Sequence, residues 1–246
     1  MATVSEELAI STADGTMTGY AYLPEGDGPH PAVIVIQEIF GVDDHIKDVA
    51  SRFAAEGYYA VAPDLFYRQG DGLTVSYDNR EEAFALRATT TPEGITADLN
   101  ALMAHLQSDA RANSNVGIVG YCFGGGVVYL ASHAVPGVSA AAIYYGGGIV
   151  PRDDAPAGAP NGLDHAGAVA CPVIGFWGSE DAGIPVAHVE RIEQALKDAG
   201  KDVEFHVYEG AGHGFFCDGR VSYNKEASDD AWPRTLAFFK RNLGTD

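Results

Sequence analysis

The chain has 246 residues, of which 46% are hydrophobic and 20% are charged, a composition typical of folded proteins and unlike that of disordered, collagen-like or coiled-coil chains. Its 34 acidic residues outnumber its 15 basic ones, and the net charge of −19 makes nucleic acid and anionic membrane surfaces unfavourable partners. The sequence shows no signal peptide and no apolar run long enough to cross a bilayer, so we expect a cytoplasmic protein.

Strands and helices are predicted to alternate along the first half of the chain. Asp14 and Gly15 stand between two alternating segments, which is a hairpin signal. The β-branched run at 32–36 is typical of a strand that is buried on both faces. The predicted elements are strands at 6–11, 17–23 and 32–36, a helix at 44–56, a strand at 58–62, a loop at 67–79, and helices at 80–88 and 92–108.

The second half of the chain continues this series. Strands separated by helix-length segments favour parallel pairing with helices on both faces of the sheet. We therefore predict an α/β protein with a mostly parallel central sheet and an N-terminal antiparallel hairpin, and we expect residues 1–246 to form one domain. The predicted elements are strands at 115–119, 140–145, 173–177 and 203–209, helices at 124–133, 186–199 and about 227–242, and a Gly-, Ala- and Pro-rich excursion at 146–167.

The clearest chemical signal is a G-x-C-x-G motif that runs from Gly120 to Gly124, between a predicted strand and a predicted helix. This is the strand–turn–helix context of a nucleophile elbow, with Cys122 in place of the usual serine. Unpaired N–H groups and the helix dipole at such a position favour a reactive thiolate. The alternative is a glycine-rich turn with an inert buried cysteine, which the flanking elements make the weaker interpretation.

An acid and a histidine follow the cysteine in the chain order of nucleophile, acid and histidine. Asp181 and His213 each come just after a predicted strand, so we expect both at the carboxyl edge of the sheet with Cys122. His213 could accept the thiol proton, and Asp181 could fix the histidine tautomer. Glu180 is the competing acid, but its position one residue earlier should direct it elsewhere.

No metal or cofactor is expected, because the three cysteines have no metal-ligand spacing. Glu38 is less usual, since it follows a buried strand in the loop that normally supplies the second N–H of an oxyanion hole. From the residues alone, a salt bridge, a helix cap and a catalytic role are all open for it. The other histidines without paired spacing are interpreted as structural or surface residues: His133, His165, His188 and His206.

Five motifs, in order over nearly the whole chain, resemble the dienelactone hydrolase (carboxymethylenebutenolidase) family of the α/β-hydrolase fold. A cysteine elbow combined with a glutamate in the first loop is specific, because most relatives of this fold use serine and lack the glutamate. The motifs are Gln37-Glu38-Ile39-Phe40-Gly41, Ala62-Pro63-Asp64-Leu65, Gly120-Tyr121-Cys122-Phe123-Gly124-Gly125, Gly178-Ser179-Glu180-Asp181 and Gly212-His213-Gly214-Phe215.

The resemblance implies a catalytic triad of Cys122, His213 and Asp181. It implies acyl transfer, in which the thiolate attacks an ester or lactone carbonyl and the resulting thioester is then hydrolysed. For the best-known members the substrate is dienelactone and the product is maleylacetate. The sequence predicts no cofactor for this chemistry.

The resemblance also implies that Glu38 pairs with the thiol and helps to deprotonate it, and that the backbone N–H groups of Ile39 and Phe123 form the oxyanion hole. The helix terminus favours the thiolate of Cys122, whereas an ionised Glu38 nearby disfavours it. We therefore hypothesise a mostly neutral resting thiol that is activated when substrate binds.

The expected substrate pocket departs from the family pattern. The best-known members hold the substrate carboxylate with two arginines, and Arg80 matches the first by position. The second is expected four residues after the catalytic histidine, where this chain has Cys217, which we interpret as a packing residue. Arg87, where the family has a tryptophan, or Arg220 could supply the missing charge, although either could be a surface arginine.

Two aromatic residues complete the expected pocket. Phe84 replaces an aromatic hydroxyl of the family pattern, and Tyr145, at the end of a predicted strand, could contribute a hydroxyl or belong to the core. The sequence therefore predicts a cysteine-dependent hydrolase of lactones or small esters. The alternative is a broader esterase, thioesterase or phosphotriesterase-like hydrolase of neutral substrates. A catalytically silent binding scaffold is disfavoured because all triad members are present, and the chain is expected to be a monomer or homodimer.

Overall fold

An eight-stranded sheet forms the centre of the computed structural model, which describes residues 1–26, 28–152, 155–156 and 158–244. The strand order is β1-β2-β4-β3-β5-β6-β7-β8; β2 pairs antiparallel with β1 and β4, and all other neighbours are parallel. The strands are β1 (Thr3–Thr12), β2 (Gly15–Pro24), β3 (His30–Ile36), β4 (Tyr59–Pro63), β5 (Ala112–Tyr121), β6 (Val138–Tyr144), β7 (Val173–Gly178) and β8 (Val203–Tyr208). This confirms the predicted α/β class, the parallel centre and the antiparallel hairpin.

Two groups of helices cover the sheet. Phe53 of the first helix packs on Trp232 and Phe239 of the last, with ring centroids 4.7 and 5.8 Å apart, while α3 and α4 contact each other. The central strands are buried over most of their length, as expected of a parallel sheet covered on both faces. The helices are α1 (Asp44–Ala55), α2 (Arg80–Arg87), α3 (Pro92–Ser108), α4 (Phe123–Ala134), α5 (Val186–Asp198) and α6 (Lys225–Leu243).

Side-chain caps fix the starts of several helices. The Asp43 carboxylate accepts from the N–H of Ile46 at the start of α1, and the Thr91 hydroxyl accepts from Gly94 at the start of α3. Asn224 caps α6 through the N–H of Ala227, so that helix begins two residues before the predicted start. In the described part of the chain, no helix has both the length and the apolar character needed to cross a membrane.

The predicted excursion at 146–167 is partly helical. A 3₁₀ helix spans Gly162–Ala168, and the Tyr129 hydroxyl of α4 donates to the Gly162 carbonyl at 2.9 Å. Local composition concealed this turn, because a tertiary hydrogen bond to α4 helps to hold it. Positions 153, 154 and 157 of the excursion lie outside the described residues.

Candidate active site

The turn between β5 and α4 holds Cys122 in an unusual backbone conformation. Its φ is +56° and its ψ is −114°, a region that side chains rarely adopt, and its N–H donates to the Tyr144 carbonyl at 3.0 Å. Cys122 is the N-cap of α4, but no side-chain hydrogen bond caps this helix. Cys122 therefore lies at the N-terminal end of the helix dipole, which favours negative charge.

Close backbone contacts explain the glycines on either side of the cysteine. A Cβ atom on Gly120 would lie 2.3 Å from the Gly124 carbonyl oxygen, and one on Gly124 would lie 2.6 Å from the carbonyl oxygens of Ile36 and Gln37. Because these neighbours are backbone atoms, they cannot swing aside as a flexible side chain could. The G-x-C-x-G spacing is thus a packing requirement of the elbow.

The predicted acid and histidine form a hydrogen bond beside this turn. Nδ1 of His213 lies 2.7 Å from Oδ2 of Asp181, whose side chain is only 1% exposed. The other carboxylate oxygen, Oδ1, accepts from the N–H groups of Gly183 and Ile184 at 2.9 and 3.1 Å. Glu180, the competing acid, is exposed and does not pair with the histidine, so the residue choice made from the sequence agrees with the geometry.

His213 links the acid to the cysteine. Burial lowers the pKa of His213, but hydrogen bonds to Asp181 and to Cys122 raise it more strongly, and the net result is a pKa of about 10. The imidazole therefore holds a proton well when it faces the sulfur on one side and the carboxylate on the other. Cys122, His213 and Asp181 all line one pocket, in which Asp181 holds the imidazole through its Nδ1.

Two backbone N–H groups beside the sulfur are available to a ligand. In the described ranges, neither the N–H of Ile39 nor that of Phe123 donates a hydrogen bond. The Ile39 loop is held by Gly41, which has a φ of +86° and on which a Cβ would lie 2.1 Å from the Leu73 carbonyl oxygen. The Val75 N–H adds a bond of 3.0 Å to the Phe40 carbonyl.

Glu38 pairs with an arginine, which differs from the thiol contact implied by the family resemblance. Nη1 of Arg220 lies 3.2 Å from Oε1 and 3.1 Å from Oε2 of Glu38. The exposed fractions of the Glu38 and Arg220 side chains are 1% and 14%, so the pair is nearly out of water. A buried carboxylate needs such a partner, and the guanidinium is the nearest cation.

Aromatic rings and a glycine hold Arg220 in place. Its guanidinium lies over the rings of Phe40 and Tyr77, 5.5 and 5.9 Å from their centroids. A Cβ on Gly214, whose φ is +79°, would lie 2.3 Å from Nη1 of Arg220. The sequence offered Arg220 only as one source of the missing positive charge. Its packing against Gly214 could not be predicted from the neighbouring residues.

Burial raises the pKa of Glu38, and the charges of Arg220 and His213 oppose this shift.

Tyr145 lies behind the site. Its side chain is fully buried, its φ is +38°, and its ring lies 5.2 Å from that of His213. Its hydroxyl influences the pKa of Glu38 but forms no hydrogen bond of normal geometry with any described residue. The sequence left Tyr145 open between the pocket and the core, and the structure places its side chain in the core, apart from the residues that line the pocket.

Cys217 is a buried packing residue at the position where the family pattern expects an arginine. Its side chain is fully buried, and its thiol donates to the Tyr77 hydroxyl at 3.3 Å. That hydroxyl in turn donates to Asp43 at 2.7 Å. Burial raises the pKa of Cys217 to about 11, so this thiol stays protonated at neutral pH.

The pocket above the sulfur has a volume of about 680 Å³. Cys122 and His213 line it, together with the three residues predicted to contact substrate: Arg80, Phe84 and Arg87. Both of these arginines are exposed, and neither has an acidic partner in the described ranges. They are therefore the free cations of the pocket, whereas the charge of Arg220 is compensated by Glu38.

The remaining histidines have structural surroundings. His206 lies 3.0 Å from Glu204 and stacks on Phe176, and His133 stacks on His165 with ring centroids 4.6 Å apart. Within the residues that the structure describes, no cluster of histidine, cysteine, aspartate or glutamate could hold a metal ion.

The sheet and its connections define an α/β-hydrolase fold, in which Cys122 occupies the turn between β5 and α4. The model of the dienelactone hydrolase family matches residues 17–243, and the chain belongs to that family. It is accordingly a hydrolase of ester or lactone bonds.

Individual relatives cover almost the whole chain. A protein named "Putative carboxymethylenebutenolidase" from Synechocystis sp. is 41% identical over 230 residues, which make up 92% of this chain and 92% of that protein. The crystal structure of a "Putative Dienelactone Hydrolase" from Klebsiella pneumoniae is 36% identical, with a TM-score of 0.86, covering 98% of this chain and 100% of that one. A dienelactone hydrolase-like promiscuous phosphotriesterase from metagenomic libraries is 20% identical, with a TM-score of 0.82 over 99% and 100%, and so shares the fold.

Proposed function

We propose that the chain hydrolyses lactones and small carboxylic esters through a thioester formed on Cys122. The observation that carries this proposal is the strained cysteine at the start of α4, which shares a pocket with a histidine that Asp181 holds. A positive φ on a non-glycine residue costs about 1–3 kcal/mol, so it persists only where the surroundings enforce it. Here the enforced conformation presents a nucleophile to the pocket.

The reaction follows from the positions of these groups. His213 accepts the Cys122 proton, and the sulfur attacks the carbonyl carbon while the carbonyl oxygen becomes negatively charged. The N–H groups of Ile39 and Phe123 stabilise that negative charge by donating hydrogen bonds to the oxygen. The C–O bond to the leaving oxygen then breaks, and the imidazolium protonates that oxygen.

Water completes the cycle. His213 removes a proton from a water molecule, the resulting hydroxide attacks the thioester, and the sulfur leaves as a thiolate that His213 reprotonates. Asp181 holds His213 throughout, and its other carboxylate oxygen accepts from two backbone N–H groups. In a lactone, the leaving oxygen stays attached to the product as a free hydroxyl.

The arginines of the pocket favour substrates that carry a carboxylate, such as dienelactone, whose product is maleylacetate. Arg80 and Arg87 line the pocket and have no acidic partner among the residues that the structure describes, so either can bind an anion directly. A hydrogen bond to a charged group contributes about 1.5–3 kcal/mol, which corresponds to roughly 10- to 150-fold in kcat/KM.

All eight strands belong to one sheet, which supports the further proposal that the chain acts as one domain.

Neutral esters and phosphotriesters are the second candidate substrates. The Arg220–Glu38 pair favours them, because this guanidinium of the pocket is already paired with a carboxylate. The net charge of −19 also slows the approach of anions. The same nucleophile and N–H groups serve a neutral substrate equally well.

The test compares kcat/KM for dienelactone with that for a neutral p-nitrophenyl ester. If dienelactone is preferred and Arg80→Ala reduces only its rate by 10-fold or more, the carboxylate-binding proposal holds. If the neutral ester is preferred and Arg80→Ala changes neither rate, the second candidate is correct. Arg241→Ala is the matched control, because this exposed arginine pairs with Glu204 away from the pocket. Full activity in Cys122→Ala would refute the thioester.

A further inference from the structure

A second cavity adjoins the pocket that contains the sulfur. Its volume is about 560 Å³, and it shares three wall residues with the first pocket: Phe123, Arg87 and Gly147. Because these residues line both spaces, the two cavities are neighbours that meet at Phe123, Arg87 and Gly147. The other residues that line the second cavity do not line the first pocket.

One face of the helix that follows the nucleophile forms a wall of this cavity. Phe123, Val127 and Leu130 of α4 line it at positions i, i+4 and i+7, which lie on one side of a helix. Since an α-helix rises 1.5 Å per residue, Leu130 lies about 10 Å along the helix axis from Phe123. The cavity thus runs alongside α4, starting at the N–H group proposed to bind the oxyanion.

The walls of the cavity combine apolar side chains of α3 and α4 with polar ones, among them Thr90 and Asn161. Ile95 of α3 and Ile149 face the α4 residues, and both are at least 95% buried. The far end holds the stacked pair His133 and His165; burial and the neighbouring ring both lower the pKa of His133. Asp164 lies at the same end, and Arg87 lies at the mouth. This arrangement suits an apolar group entering from the sulfur side.

The position of His213 indicates which half of an ester would enter this cavity. His213 lines the first pocket but not the second, and in the proposed reaction it protonates the leaving oxygen. The leaving group therefore lies on the side of His213, and the acyl group extends the other way, past Phe123. We propose that the second cavity is an acyl subsite for apolar acyl groups of about six to eight carbons, an inference that rests on the thioester chemistry proposed above.

A pair of isomeric esters tests the assignment. Ethyl hexanoate carries its six-carbon chain on the acyl side, and hexyl acetate carries the same chain on the alcohol side. Burial of each methylene raises kcat/KM by up to about fourfold, so ethyl hexanoate should exceed ethyl acetate by at least 10-fold. Leu130→Trp fills the cavity and should remove this gain while leaving hexyl acetate and ethyl acetate within twofold.

Two further variants keep the test decisive. Leu130→Ala enlarges the cavity and should move the optimum of a p-nitrophenyl ester series from hexanoate towards longer chains. Leu236→Trp is the matched control, since this half-buried leucine of α6 lines a separate cavity of about 800 Å³ beside His30 and Asn113. It should leave every chain-length profile unchanged.

The outcomes separate this inference from the proposed function. If both Leu130 variants hydrolyse ethyl acetate and ethyl hexanoate in the wild-type ratio, the acyl chain does not occupy the second cavity and the inference is wrong. A loss confined to hexyl acetate would place the alcohol there instead, and would overturn it too. Hydrolysis of p-nitrophenyl acetate by Cys122→Ala would instead refute the thioester, whatever the chain-length profile shows.

Discussion

Removing Arg220 should strand a buried carboxylate, and the cost can be worked from the structure. Nη1 of Arg220 lies 3.1 and 3.2 Å from the two oxygens of Glu38, whose side chain is 1% exposed. At this separation and an effective dielectric constant of about 20, the attraction is on the order of 5 kcal/mol. Deleting one partner of a buried pair typically costs about 3–5 kcal/mol, so Arg220→Met should lower the free energy of unfolding by that amount at pH 8.

The loss should depend on pH with a definite sign. Burial already raises the pKa of Glu38, and removing Arg220 raises it further because the lowering influence of the guanidinium is gone. A carboxyl whose folded pKa is raised costs stability as the pH rises above its unfolded pKa of about 4.3 and through the folded pKa. The deficit of Arg220→Met should therefore be small near pH 5 and largest at pH 8.

Urea unfolding of a double-mutant cycle measures this directly. Glu38→Gln added to Arg220→Met removes the stranded charge and should restore about 2 kcal/mol or more at pH 8. Arg241→Met, which breaks an exposed pair with Glu204, is the control and should cost under about 1 kcal/mol. A deficit for Arg220→Met that is independent of pH, and that Glu38→Gln does not relieve, would show that Arg220 acts through packing alone.

Three further outcomes test the elbow and the proton relay. Asp181→Asn keeps an oxygen for the backbone donors but not a negative charge for His213, so kcat should fall by up to about 10⁴-fold with little change in stability; a fall below tenfold would contradict the relay. Cys122→Ala removes one of the two hydrogen bonds that raise the pKa of His213, so NMR titration should show a lower pKa than in the wild type, and an unchanged value would argue against the contact. Gly120→Ala should lower the free energy of unfolding by about 1–3 kcal/mol in a thermal melt, because its Cβ meets a backbone oxygen. Gly167→Ala, whose Cβ meets nothing within 4 Å, should not lower it. Equal losses of stability in the two variants would count against the packing argument.

The sequence carried most of the fold and the central residues of the site because both depend on local patterns. Continuous β-branched runs identified the parallel strands, and a strand and a helix around the glycines identified the elbow of Cys122. Asp181 and His213 could be predicted because each follows a strand whose carboxyl end meets the same sheet edge.

The partner of Glu38 could not be read from the sequence. Arg220 lies 182 positions away, and its side chain reaches the site because the segment after His213 forms successive turns. In these turns the N–H of Cys217 donates to the Gly214 carbonyl, and the N–H of Arg220 donates to the Cys217 carbonyl. Local spacing could say where the family arginine was missing, but not which cation replaces it. Tyr145 was equally ambiguous, because a tyrosine at a strand end can face a pocket or, as here, the core.

The backbone of Cys122 places opposing demands on one position. Its φ of +56° is open to glycine without strain, and relief of roughly 1–3 kcal/mol would exceed the roughly 0.5–1 kcal/mol that glycine loses through the greater freedom of its unfolded chain. Folding alone therefore favours a residue without a side chain at the point where the chemistry needs sulfur. In a laboratory evolution experiment that selects for heat resistance and not for activity, Cys122→Gly would be among the first substitutions to appear.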